Sequence, residues 1–140
     1  MNLENEKFVI VIDEELPLGI IANTAAIIGI TLGKEMPETV GESVLDKNNY
    51  SHLGIIEFPV PILKADKEKI KEIRTKLYDE KFKDVVTVDF SDVAQSCKTY
   101  EEFIGKIKLV DEKDLTYFGI GMCGPKKLVN KLTGSLPLLR

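Results

Sequence analysis

Hydrophobic and polar positions along the chain fall into short, separable blocks. Phe8-Val9-Ile10-Val11-Ile12 is an apolar, mostly β-branched run with no polar alternation, the mark of a strand covered on both faces in an α/β sheet. Residues 17–32 are apolar on nearly every side, with Pro17 at a favoured first helical position and Gly33 as the stop. Such a helix is expected to be buried in a packed layer or in a contact between subunits. Residues 41–58 read as a β-hairpin turned by Asp46-Lys47-Asn48-Asn49, because Asn and Asp tolerate the left-handed region, and Leu53-Gly54-Ile55-Ile56 is the better of its strands. Pro59 and Pro61 then force an extended segment that cannot donate to a central ladder.

The second half alternates more regularly. Residues 66–82 form an amphipathic helix capped by Asp66, with Ile70, Ile73 and Leu77 in one stripe and its charges read as a solvated face. Residues 85–90 make a third strand, and Ser91 or Asp92 opens a short helical turn. Thr99 and Glu102 are spaced as a capping box for a helix that buries Phe103, Ile104 and Ile107. Residues 117–122 make a fourth core strand. Gly124-Pro125 turns the chain into a last helix carrying Leu128, Val129 and Leu132, ended by Gly134. Strands alternating with helices predict an α/β fold with a largely parallel or mixed sheet, and 140 residues without a linker predict one domain spanning 1–140.

Composition narrows the function classes. Lys plus Arg number 19 against 23 Asp plus Glu, a net charge of −4, which argues against nucleic-acid binding by bulk charge. The balance is uneven: residues 1–60 hold three basic and ten acidic side chains, whereas residues 115–140 hold four basic and none acidic. Two cysteines, Cys97 and Cys123, lack zinc-ligand spacing and read as buried reduced thiols of a cytoplasmic protein. The apolar run is broken by Pro17, Asn23 and glycines and is preceded by Asp13-Glu14-Glu15, so neither a membrane span nor a secretory signal is expected. No metal site and no cofactor are expected.

Gly119-Ile120-Gly121-Met122-Cys123-Gly124 matches the dinucleotide pattern GxGxxG, yet only sixteen residues follow and none is acidic. What survives is a glycine-rich approach to a helix start at Gly124 and Lys126, suited to a small anion. His52 is the only histidine, so no Ser–His or Cys–His pair can form without it. Asn23 interrupts the most apolar helix, where a buried amide needs a partner in a neighbouring loop, an opposing subunit or a pocket. Asp89 lies towards the end of the third strand. Ligands of open α/β sheets bind outside the carboxyl ends of the strands, and capping of the following turn is the competing role.

The closing stretch, with Phe118-Gly119-Ile120-Gly121, Gly124-Pro125, Leu128-Val129, Lys131-Leu132-Thr133-Gly134 and Leu138-Leu139, resembles the end of the type 2 peptidyl-tRNA hydrolases. Lys7, residues 9–12, Leu18-Gly19 and Ala22 resemble that family's first strand and helix. The resemblance implies a three-layer α/β/α fold on a small mixed sheet of about four core strands plus a hairpin, and a homodimer. The family's lysine falls on Ile20, its glutamine on Thr24, its histidine on Ile27, and its aspartate near Asp89 or Asp92. Isoleucine can neither hold a phosphate nor move a proton, so hydrolysis by that mechanism is not expected. The whole chain more closely resembles the domain of unknown function 2000 family. Asp13-Glu14 with Leu16-Pro17, Ala22-Asn23, the segment 41–46, His52 with Gly54, Pro59 with Pro61-Ile62-Leu63, and the stretch from Gly124-Pro125-Lys126-Lys127 through Leu138-Leu139-Arg140 carry the likeness. That family implies the same fold and no known activity.

The expected site is therefore a crevice near the start of the first helix, lined by Asn23, His52 and Asp89, with Gly124 and Lys126 as an anion-binding helix start. The expected function is binding of a small molecule, with an anion as one candidate, at a site that lacks the hydrolase family's lysine and histidine. One alternative is hydrolysis of an ester or amide on a tRNA end or a small metabolite, with Asp89 holding a water and Asn23 or His52 polarising the carbonyl. Another is a structural homodimer in which the first helix and the hairpin bury against a second copy.

Overall fold

The computed structural model describes residues 4–140. The central ladder is built on β1 (Glu6–Asp13), buried from Phe8 onward, as its unbroken apolar run requires. Strand β6 (Tyr117–Pro125) pairs antiparallel on one side of it, and β4 (Ile62–Ala65) pairs parallel on the other. Strand β5 (Val86–Ser91) pairs antiparallel with β6, giving a mixed four-stranded sheet in the order β4-β1-β6-β5. The segment set apart by Pro59 and Pro61 thus does enter the sheet, at an edge; the Pro61 carbonyl accepts from Ile10 N–H. The C-terminal tail covers that edge, with Lys64 N–H donating to Pro137 O and Leu139 N–H to Ile62 O.

Side chains alternate across this sheet and seed two cores. Val9, Val11, Ile120 and Met122 face α2 (Lys67–Leu77) and α5 (Lys126–Thr133), which contribute Ile70, Ile73, Leu77, Val129 and Leu132. Phe8, Ile10, Ile12, Phe90 and Cys123 face α1 (Leu18–Glu35). The short α3 (Asp92–Gln95) adds Ala94 to that layer, and α4 (Tyr100–Ile107) follows. The result is an α/β/α arrangement of three layers.

The glycines of the GxGxxG match serve packing. A Cβ on Gly119 would stand 2.8 Å from Thr24 Cγ2, and one on Gly121 would stand 2.3 Å from Ile28 Cγ2. Thr24, Ile28 and Leu32, one turn apart, are the fully buried stripe of α1, so the glycines let this helix sink onto β6. A Cβ on Gly124 would meet Val85 Cα at 2.9 Å.

Several elements differ from expectation. Helix α1 runs past Gly33 to Glu35 and ends at Met36, where Pro37 disfavours a helical residue before it. Pro17 is its N-cap rather than its first turn. The helix buries only one stripe, so its other apolar residues face outward. The hairpin pairs β2 (Val44–Leu45) with β3 (Ser51–His52), while Leu53 and Ile55 are exposed outside any strand. Helix α2 stops at Leu77, and Phe82 is buried from a separate 3-10 turn, Glu80–Phe82. In α4, Phe103 and Ile107 are half-buried and Ile104 is exposed. Gly124-Pro125 continues β6 straight into α5 without a turn. Cys123 is buried and Cys97 half-buried, both as free thiols. Burial pushes the Cys123 thiol up to about 11, which keeps it protonated and inert.

Candidate functional site

The carboxyl ends of β1, β4 and β5 share one end of the sheet, where the antiparallel β6 begins. Helix α2 starts there because Asp66 caps it, accepting from Lys69 N–H at 2.8 Å. Beside Ile70, Ile73 and Leu77, the helix carries a second stripe: Lys67, Lys71, Arg74 and Tyr78. Lys71 turns towards a 3-10 turn, Glu112–Asp114, that leads into β6. Its ammonium donates to Glu112 O and to Leu115 O (3.0 Å) and pairs with Glu112 Oε2 at 3.0 Å.

Tyr117, buried at the start of β6, donates its hydroxyl to the same Glu112 carboxylate at 2.7 Å. That hydrogen bond, followed by Lys71, holds the Glu112 carboxyl below its usual range. Burial first, and then the Glu112 carboxylate, push the Tyr117 phenol well above its own, so it stays a proton donor. One turn further along α2, Arg74 Nε pairs with Asp89 Oδ2 at 2.8 Å, and the guanidinium lies 4.0 Å from the Tyr78 ring centroid. Lys71, Arg74, Tyr78, Asp89, Glu112 and Tyr117 thus form one polar cluster between α2, β5 and β6.

A hollow of about 310 Å³ opens beside this cluster, lined by Lys67, Glu68, Lys71, Lys113, Leu115, Thr116 and Tyr117. Its size sits at the low end for small-molecule sites, roughly 300–1,000 Å³. Lys67 and Lys113 have no carboxylate partner among the described residues. Two other concavities differ in kind. A hollow of about 810 Å³ lies between the two limbs of the hairpin excursion, from Val40 to Val44 and from His52 to Glu57. A groove of about 400 Å³ between α1, β5 and α4 is lined mainly by apolar and aromatic side chains such as Ile27, Phe90 and Phe103, together with Cys97.

The residues selected from sequence do not converge. Asn23 is exposed on α1 and donates to Gln95 Oε1 of α3 at 3.4 Å, so its amide needed no buried partner. Asp89 points to the opposite face of the sheet and is occupied by Arg74. His52 is exposed in the hairpin, where Nε2 lies 2.8 Å from Asp46 Oδ2 and ties strand to turn. Gly124 and Lys126 lie at the far end of β6, paired alongside the start of β1. There Lys126 N–H already donates to Asn5 O at 2.7 Å, and Lys7 Nζ to Asn130 Oδ1 at 2.5 Å. Only Asp89 belongs to the polar cluster. The cluster itself escaped because the α2 charges read as solvated. The spacing Lys67, Lys71, Arg74, Tyr78, and the rarity of arginine (only Arg74 and Arg140), were the available signals. No group of three or more His, Cys, Asp or Glu among the described residues could hold a metal ion.

Comparison with known proteins supports the fold and supplies no activity. Among curated proteins none matches the chain. A solved structure of a protein of unknown function from Agrobacterium tumefaciens strain C58 is similar, with a TM-score of 0.86 at 15% identity, covering 96% of this chain and 97% of that one. The family described as protein of unknown function (DUF2000) matches residues 6–140. With the match spanning all but the first five residues, the chain belongs to the DUF2000 family of proteins of unknown function.

Proposed function

We propose that the protein binds a small anionic molecule in the hollow at the carboxyl ends of its strands. The observation that carries this reading is the pair Lys67 and Lys113. Two ammonium groups without carboxylate partners among the described residues line one hollow, beside the N-terminal turn of α2. An anion there gains from both charges and from the positive end of the helix dipole, gains that must exceed repulsion from the Glu68 carboxylate of the lining and the Asp66 cap. Lys71 is already neutralised by Glu112 and acts as wall rather than ligand. Thr116 and the buried Tyr117 complete the lining. A hollow of about 310 Å³ suits a carboxylate or phosphate metabolite rather than a polynucleotide, in keeping with the net charge of −4. Free thiols at Cys97 and Cys123 suit a reducing, cytoplasmic setting.

Calorimetric titration with inorganic phosphate and with a small dicarboxylate, at low ionic strength, tests the reading. Saturable binding is expected, weakened by about tenfold or more in Lys67→Ala/Lys113→Ala, since each charge-assisted contact contributes about 1 kcal/mol or more. Lys126→Ala should leave it unchanged. Binding lost in Lys126→Ala and retained in the double variant would instead place the anion at the start of α5. The hydrolase alternative needs Asp89 to share a crevice with Asn23 or His52, and these three side chains stand at separate places.

A further inference from the structure

Two surfaces of this chain are apolar and uncovered. The first is the outer face of α1, a helix with mean hydropathy of 1.2 that carries no charge until Lys34. Beyond its buried stripe it exposes Leu18 (81%) and Ile30 (73%), with the small residues Gly19, Ala22 and Ala26 and one polar side chain, Asn23, among them. The second is the hairpin excursion after α1, where Val44, Leu45, Tyr50, Leu53 (86%) and Ile55 (79%) all face outward.

This arm is preformed. Gly41 N–H donates to Ile55 O and Glu57 N–H to Thr39 O, both at 2.9 Å. The limbs come so close that a Cβ on Gly54 would overlap the Gly41 carbonyl. At the tip, Asp46 Oδ1 accepts from Asn48 and Tyr50 N–H while Oδ2 meets His52, and Asn49 takes the left-handed conformation with φ of 65°. A rigid arm with outward apolar side chains loses little conformational entropy on docking.

We propose that the arm of one copy docks on the outer α1 face of a second copy, and reciprocally, in a twofold dimer. Area is the first argument. Arm and helix together present seven large apolar residues, Leu18, Ile30, Val44, Leu45, Tyr50, Leu53 and Ile55, each 60–86% exposed, a surface on the order of the ~800 Å² per partner that a standard interface buries. The second argument is pairing. The arm is a two-stranded ribbon separate from the main sheet, and the small residues of the helix face leave room for its side chains. A second copy covers both at once, whereas any other partner must supply two unlike surfaces. Charge argues against a lipid surface: Asp13, Glu14, Glu15, Glu35 and Glu38 flank the helix, within a half of the chain that is strongly acidic.

Sedimentation of the full chain across about 1–100 µM, a range that brackets typical homodimer affinities, tests the proposal. The expected result is a species of twice 15.7 kDa. Leu53→Asp/Ile55→Asp in the arm and, separately, Ile30→Asp on the helix should each weaken association by about tenfold or more, because each buries charge in an apolar contact. Circular dichroism should stay near wild type, since all three positions are exposed, and so should the melting temperature at a concentration where the wild type is monomeric. A wild-type monomer at the highest concentration would overturn the proposal, as would a dimer indifferent to either variant. Flotation with vesicles of neutral and anionic phospholipid, abolished by the same variants, would also overturn it in favour of a membrane.

Discussion

Replacing Gly121 with alanine places a methyl carbon 2.3 Å from Ile28 Cγ2 and 2.9 Å from Leu32 Cδ1. Carbon atoms pack at about 3.5–4.0 Å, so α1 must retreat by roughly 1 Å or both side chains must leave their rotamers. Ile28 and Leu32 are fully buried and have no open space into which to move. Overpacking of this kind costs about 1–3 kcal/mol, against which the reduced freedom of the unfolded chain returns roughly 0.4–1. A net loss of about 1.3 kcal/mol follows, or a fall in melting temperature of about 4–5 °C at this chain length. Urea unfolding at neutral pH reads it as a lower midpoint at unchanged slope. Ile28→Ala alone should cost about 2–5 kcal/mol through the cavity it leaves. In the double variant the new methyl occupies part of that cavity, so the combined loss should fall short of the sum by about 1 kcal/mol. Gly121→Ala within 0.5 kcal/mol of wild type (about the additivity error of such measurements), or strict additivity with Ile28→Ala, would refute the docking of α1 on the glycines.

Other consequences are as direct. Thr24 is fully buried with its hydroxyl unpartnered among the described residues, so Thr24→Val should be neutral or raise stability by up to about 1 kcal/mol in the same urea assay. The Glu112 carboxyl is held low in the folded state, so its contribution is complete above its ordinary pKa of 4.5 and is lost as pH falls through the lower folded value. The melting-temperature gap between wild type and Glu112→Gln should therefore be constant near neutrality and close as pH drops below about 4.5. Asn23→Ala removes one long, exposed hydrogen bond and should change stability by less than about 0.5 kcal/mol, measured by urea unfolding.

How much of this was legible in the sequence depended on whether local signals faced tertiary competition. β1 was plain because an unbroken apolar run has one comfortable place, the middle of a covered sheet. The caps at Asp66 and Thr99 are local geometry, and both hold: Thr99 Oγ1 accepts from Glu102 N–H at 3.1 Å. Helix α1 was harder, because apolar side chains all round do not reveal which stripe is buried. That choice is made by Gly119 and Gly121, nearly a hundred residues away. Strand β4 is short and its pairing is non-local, so nothing nearby marks it. The site was least legible for the same reason. Lys71 and Arg74 look like ordinary solvated helix charges until Glu112 and Asp89 arrive from distant segments. Asn23 stood out as a polar break in the apolar helix and His52 as the sole histidine, and their partners, Gln95 and Asp46, are structural.

Amide spectra of the isotope-labelled protein, recorded while inorganic phosphate is added at low ionic strength, address the anion site most directly. The account predicts saturable shifts concentrated at Lys67, Glu68, Lys71, Lys113, Thr116 and Tyr117, the residues around the hollow at the strands' carboxyl ends. Saturable shifts centred on Lys126 and Lys127, or none that saturate, would contradict it.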